Sequence, residues 1–245
     1  MSEIEGKVIA ITGAGSGIGA ASARLLAARG ARLVLGARRV APLKAITDEI
    51  VNSGGEASYI TTDVTRRKDL ADLVALAGER YGRLDVLIGN AGIGPISPLD
   101  DLRVEDWEAM IDVNLKGFLY GIAAALPVFR RQGFGHFVTV ISTAGLKVVP
   151  NQAVYAATKN AVRTISEGLR LEAGSKLRVT GISPGFVKTD FAASMTDPQV
   201  RAAIIAKMDE IAISPDAIAR AIAFAIEQPQ DVDVGDIVVR PTAQA

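Results

Sequence analysis

Tyr155 and Lys159 bracket the segment Tyr155-Ala156-Ala157-Thr158-Lys159, near the start of a stretch with helical patterning. That spacing places a phenol and an ammonium on one helix face, about one turn apart. A free phenol, with a pKa of about 10, is a poor acid or base at neutral pH. A cation about 5 Å away, at an effective dielectric of about 20, is worth roughly 3 kcal/mol, or about 2 pKa units toward phenolate. Such a pair could give and take a proton near neutrality. The same pair also occurs on ordinary helix surfaces, so its meaning depends on what converges with it.

A second chemistry is written in Thr12-Gly13-Ala14-Gly15-Ser16-Gly17-Ile18-Gly19-Ala20, between an apolar strand pattern and a helical one. Glycines let the backbone turn tightly and approach a pyrophosphate, and the helix N-terminus offers N–H donors and the positive end of its dipole. Gly13, Gly15, Ser16, Gly17, Ile18 and Gly19 are the expected phosphate-binding residues. The spacing G-x-G-x-x-G/A fits as Gly15, Gly17 and Ala20; a longer loop reads as Gly13-x-x-x-Gly17-x-Gly19. No Walker lysine follows, which disfavours a P-loop nucleotide hydrolase. A carboxylate about 20 residues further on would bind an adenosine ribose. The next strand ends instead in Leu35-Gly36-Ala37-Arg38-Arg39. Two cations at a helix start oppose its dipole, whereas guanidinium groups suit a 2′-phosphate. Arg38 and Arg39 therefore point to NADP(H) rather than NAD.

The elements that position these groups alternate almost from end to end. Strands are predicted at 7–12, 32–36, 57–61, 85–89, 137–142, 178–183 and 237–240. Helices are predicted at 20–29, 41–52, 69–81, 104–131 (bent near Gly117) and 154–173, with shorter pieces near the end. Near-continuous apolar strands alternating with helices imply an α/β fold: a doubly wound (Rossmann) parallel sheet with helices on both faces. No linker, repeat or low-complexity run divides the chain, so one domain over 1–245 is expected, with an irregular segment at about 186–213 serving as a lid over the site. Ligands of such sheets bind at the carboxyl ends of the strands, where Asn90, Ser142, Pro184 and the Tyr155 helix should meet.

Composition narrows the classes. The 245 residues are 49% hydrophobic and 22% charged, with no net charge, no cysteine and one histidine. Disulfide scaffolds and thiolate metal sites are excluded, and a lone His136 at a strand start builds neither a zinc site nor a Ser-His-Asp hydrolase. No metal is expected. Balanced charge gives no general pull toward nucleic acid or anionic membrane. The acidic start from Met1 lacks a signal-peptide core, and the most apolar stretch, 118–129, falls short of a membrane span of about 20 residues. A cytoplasmic protein is expected.

Taken together, TGAGSGIG, Asp63-Val64, Asn90-Ala91-Gly92, Val113-Asn114, Ser142, the Tyr155–Lys159 segment and Pro184-Gly185-Phe186-Val187-Lys188-Thr189-Asp190 resemble the short-chain dehydrogenase/reductase family, compact single-domain branch, over essentially the whole chain. Val239-Arg240-Pro241-Thr242 is similar to the NADP-dependent serine-type and clavaldehyde-type dehydrogenases. The resemblance implies an NADP-dependent oxidoreductase interconverting an alcohol and a ketone or aldehyde. Tyr155 would be general acid and base, and Lys159 would lower its pKa and hold the nicotinamide ribose. Ser142 would bind the substrate carbonyl, and Asn114 would hold a water of a proton relay. Asp63 and Val64 would receive the adenine. Asn90, Ala91 and Gly92 would pack along the cofactor, and Pro184, Gly185, Val187 and Thr189 would clasp its nicotinamide end. Thr143–Val154 and Phe186–Ser194 should wall the substrate, with Ala144, Leu146, Phe186 and Met195 as contacts. The family also implies a homotetramer built on the helices at 104–131 and 152–174. The family commonly carries Asn-Asn-Ala-Gly; here Gly89 replaces the first Asn, and some local hydrogen bonding should be lost. Two other readings stand beside this one: imine or enone reduction at the same site, and a cofactor-binding regulator without turnover.

Overall fold

The protein is described as a computed structural model over residues 3–244; Met1, Ser2 and Ala245, which belong to the expected 1–245 domain, lie outside the described residues. Seven parallel strands form one sheet in the order β3-β2-β1-β4-β5-β6-β7. They are β1 (Val8–Thr12), β2 (Arg32–Ala37), β3 (Glu56–Thr61), β4 (Val86–Gly89), β5 (Gly135–Val140), β6 (Leu177–Pro184) and β7 (Asp236–Val239). Between them run α1 (Gly17–Ala28), α2 (Val40–Asn52), α3 (Arg67–Tyr81), α4 (Val104–Met110), α5 (Gly117–Gln132), α6 (Ala153–Ala173), α7 (Pro198–Ile211) and α8 (Pro215–Glu227).

Every residue of β1 is buried, because the pleat sends alternate side chains into two apolar layers. Ile9 and Ile11 join Leu26 of α1, Leu43 of α2 and Ile222 of α8 on one face. Val8 and Ala10 join Leu73 of α3, Phe129 of α5 and Leu169 of α6 on the other. This is the doubly wound α/β architecture. Strand order reverses between β1 and β4, so the crevice for ligands opens at their carboxyl ends.

Two segments differ from the sequence expectation. The helix predicted over 104–131 is continuous but contains a π-helical stretch, Ile111–Lys116, between α4 and α5. The span Val104–Gln132 is also long and apolar enough to cross a membrane by length and composition, with mean hydropathy 1.3. It lies instead against α3, β4, β5 and α6. The segment expected to be irregular, 186–213, is largely helical. Asp197 caps α7 by accepting from Gln199 N and Val200 N at 2.8 and 2.9 Å, and Pro198 fits the first turn, whose N–H needs no partner. His136 is buried in β5, with Nε2 2.8 Å from Thr180 Oγ1.

Candidate active site

The buried stripe of α6 carries Tyr155, Lys159, Val162, Ser166 and Leu169, so the face that anchors the helix also carries the reactive pair. Lys159 Nζ donates to the carbonyl of Val140, the last residue of β5, at 3.0 Å. Two residues on, Ser142 Oγ accepts from Ala144 N at 3.1 Å and shares a hydrogen bond with the Tyr155 phenol.

The electrostatics depart from the expectation drawn from spacing. Burial pushes the Tyr155 phenol up to about 12, and the hydrogen bond from Ser142 works against that rise. Burial likewise pulls the Lys159 ammonium down to about 8. Desolvation is the largest influence on both groups and sets the direction of each shift. The site as built holds its proton on Tyr155 Oη.

Asn114 lies in the π-helical stretch and is fully engaged. Its Oδ1 accepts from Ile93 N, and its Nδ2 donates to Ile93 O, both at 2.9 Å, and to Thr158 Oγ1 at 3.2 Å. Both amide protons are used, so the side chain splints the loop after β4 to α6, and a second lone pair on Oδ1 remains available to a water. Inserted π turns recur at functional sites because the extra residue re-aims a side chain.

The glycine turn is held from β4. Asn90 Nδ2 donates to Thr12 O and Gly13 O at 3.0 and 3.1 Å, and Thr12 Oγ1 accepts from Asn90 N and Ala91 N. Gly13 has φ of 65°, and a Cβ there would lie 2.9 Å from Ala91 Cα. Only glycine meets both demands. Gly19 packs behind the turn, against the Gly13 carbonyl.

At the rim, Arg38 and Arg39 are exposed, and Arg39 lies 3.8 Å from Asp190. Burial raises the Asp63 carboxyl, but hydrogen bonds from Thr65 and the charges of Arg38 and Arg66 outweigh it and hold the group below its usual value.

Apart from Gly19 and Asn114, every residue expected to meet cofactor or substrate lines a single cleft of about 1450 Å³ at the carboxyl ends of the strands. A glycine turn with free space before it and two guanidinium groups at the cleft rim form a donor set that fits a dinucleotide cofactor. Gly89 has the family's first Asn replaced, and it borders a cavity of about 30 Å³ together with Thr12, Asn114, Thr139 and Lys159.

The sequence placed Phe191 and Ser194 in the Phe186–Ser194 wall without their contacts, and it did not single out Gly94 or Gln244. Phe191 packs on Tyr155 with ring centroids 5.6 Å apart. Gly94 N donates to Ser194 Oγ at 3.1 Å. Gln244 Oε1 accepts from Phe186 N at 2.9 Å, and its Nε2 is 3.4 Å from Thr143 Oγ1, joining the two substrate-side loops. No local pattern marks these residues, since each acts through a partner distant in sequence.

The profile of the short chain dehydrogenase family matches residues 7–200. The chain belongs to the short-chain dehydrogenase/reductase family. An uncharacterized oxidoreductase of Listeria monocytogenes is 48% identical over 244 residues, covering 98% of each chain. An alcohol dehydrogenase of Thermococcus sibiricus, solved with 5-hydroxy-NADP, is 33% identical with a TM-score of 0.88 over 98% of this chain and 99% of its own. A closed serine dehydrogenase with NADP+ is 29% identical with a TM-score of 0.90, covering 97% and 96%. A Burkholderia phymatum member of the family, solved with NAD, is 28% identical with a TM-score of 0.90, covering 97% and 90%. This family member is an oxidoreductase whose structural neighbours bind NADP in some cases and NAD in others.

Proposed function

We propose that this dehydrogenase/reductase interconverts a ketone or aldehyde and its alcohol with NADP(H), using Tyr155 as general acid and base. The observation that carries the reading is the convergence of Ser142 and Tyr155, with Lys159 one helical turn further on, in the cleft headed by the glycine turn. The nicotinamide cofactor supplies the hydride. Ser142 Oγ donates a hydrogen bond to the substrate oxygen and stabilises the charge that grows there. Tyr155 Oη delivers its proton to that oxygen in reduction and takes it back in oxidation. A phenol pushed up to about 12 keeps its proton at neutral pH, which suits reduction.

Gly13 to Gly19 present the turn to the pyrophosphate, Arg38 and Arg39 hold the 2′-phosphate, and Asp63 and Val64 receive the adenine. Asn90, Ala91 and Gly92 border the cofactor's middle, while Pro184, Gly185, Val187, Thr189 and Lys159 hold its nicotinamide end. Ala144, Leu146, Phe186 and Met195 contact the substrate beneath the 186–213 lid. The enzyme works in the cytoplasm as a single-domain homotetramer with two-fold symmetry. Exposed Val104, Ile111 and Leu119 on α4–α5 and Leu171 on α6 supply one apolar face, and Phe224 with Val238 beside edge strand β7 a second.

Initial rates of NADPH and NADH consumption over a panel of ketones and aldehydes, beside Tyr155→Phe, test the reading. Consumption that favours NADPH and vanishes in the variant supports it. Turnover that survives in Tyr155→Phe overturns it. A monomeric mass by light scattering at micromolar concentration overturns the tetramer.

A further inference from the structure

The loop after β4 and the short helical turn Asp190–Ser194 meet directly over Tyr155. Gly94 N donates to Ser194 Oγ at 3.1 Å, and Ser194 Oγ donates to Phe191 O at 2.8 Å. The Phe191 ring fills the space beside Gly94 so closely that a Cβ built on Gly94 would overlap the ring's Cζ. The same ring lies against Tyr155 at 57° between planes. Its position is therefore fixed from two sides, by the missing side chain of Gly94 and by the Ser194 clasp. The loop bearing Gly94 is in turn splinted by Asn114 through Ile93. Around the two rings stand Ile96, Ala144 and Met195, with Trp107 packed against them. Apart from Ser142 and Lys159, the surround of the phenol is apolar, and the Phe191 ring lies directly against it.

We propose that Phe191, seated in the notch left by Gly94, is a specificity-determining residue that limits the bulk of the apolar substituent on the reacting carbonyl carbon. The substrate class is then an apolar carbonyl compound with at least one compact substituent on the Phe191 side. The proposal rests on the reaction assigned above and narrows it. Nothing in the chemical step depends on Phe191, because no atom of its ring gives or takes a proton. Its effect is on which substrates place their oxygen between Ser142 and Tyr155.

The test compares 2-butanone, acetophenone and 2-acetylnaphthalene in the wild type, Phe191→Ala, Gly94→Ala and the double variant. The readouts are kcat/KM with NADPH and Kd by calorimetry on NADP+-loaded protein. Removing the ring should raise the preference for 2-acetylnaphthalene over 2-butanone by at least ~10-fold, the scale on which apolar pockets discriminate size. Gly94→Ala should alter that preference when Phe191 is present and leave it unchanged when Phe191 is Ala. Phe191→Leu, which keeps an apolar filler, should fall between, and it replaces the alanine variant if that does not fold. The proposal is overturned by an unchanged preference in Phe191→Ala or Phe191→Leu, or by an equal Gly94→Ala effect in both backgrounds. If NADPH consumption does not depend on Tyr155, the reaction assigned above fails while the Kd ratios still decide Phe191. A series that neither reacts nor binds in any variant overturns both.

Discussion

The Asn90 side-chain nitrogen occupies the space that a side chain at residue 13 would need: a Cβ on Gly13 would lie 2.9 Å from Asn90 Nδ2, which itself bonds the Thr12 and Gly13 carbonyls. The turn is thus shaped by glycine and locked by the residue that follows β4. Replacing Asn90 with alanine removes two hydrogen bonds, worth together about 2 kcal/mol. A chain of this size should then melt about 5 °C lower and bind NADP+ more weakly. Thermal melts with and without cofactor check both, and an Asn90→Ala protein with wild-type melting and affinity would refute the locking role.

The proposed role of Arg39 as a 2′-phosphate ligand predicts a difference between the two cofactors. A charged hydrogen bond to phosphate is worth about 1.5–3 kcal/mol, so Arg39→Ala should raise KM for NADPH about 10- to 100-fold. KM for NADH should change little, because that molecule presents no phosphate at the position. Steady-state kinetics with both cofactors decide the matter; equal losses for both would remove Arg39 from phosphate recognition.

Lys159 ties stability to pH. Its folded pKa, pulled to about 8 from 10.5, means that the unfolded chain binds the extra proton between those values. Stability should therefore rise with pH across that window, as the folded state sheds a proton that the unfolded state keeps. Below pH 8 the buried charge costs on the order of 3 kcal/mol. Lys159→Met should accordingly stabilise the cofactor-free protein at pH 7 and lose that advantage above pH 10.5. Tyr155 contributes the opposite slope above pH 10, because its folded pKa near 12 exceeds the unfolded value of 10. Urea unfolding of both proteins from pH 7 to 10.5 measures the difference, and a constant gap would contradict the assignment.

Gly89 offers a gain. It pairs with Thr139 in the sheet, and a Cβ there would meet Thr139 and Val138 at 3.9 Å, ordinary van der Waals contact. Gly89→Ala removes unfolded-chain entropy without strain and should stabilise by about 0.5–1 kcal/mol, raising Tm by about 2 °C. A lowered melting temperature would mean that the adjoining cavity serves the packing better empty of carbon.

Most strands were legible because both faces of a parallel sheet are covered, which writes them as unbroken apolar runs such as Val8–Thr12. The order of site motifs was legible because each follows a strand end. What escaped depends on contacts between distant residues. The π turn around Asn114 is held by bonds to Ile93 and Thr158, which helical periodicity does not encode. Helix α7 went unread within the segment expected to be irregular, and its apolar residues Val200, Ile204 and Met208 are only partly buried. The spacing of Tyr155 and Lys159 revealed a charge pair and concealed its desolvation, the larger effect.

That α7 buries none of its side chains fully has a consequence for motion. Its amides can reach solvent by local unfolding that leaves β1 and β4 intact, so their hydrogen exchange should be orders of magnitude faster than that of the sheet. Any ligand held beneath the helix would slow that exchange in proportion to its occupancy, turning α7 into a readout of binding that needs no turnover.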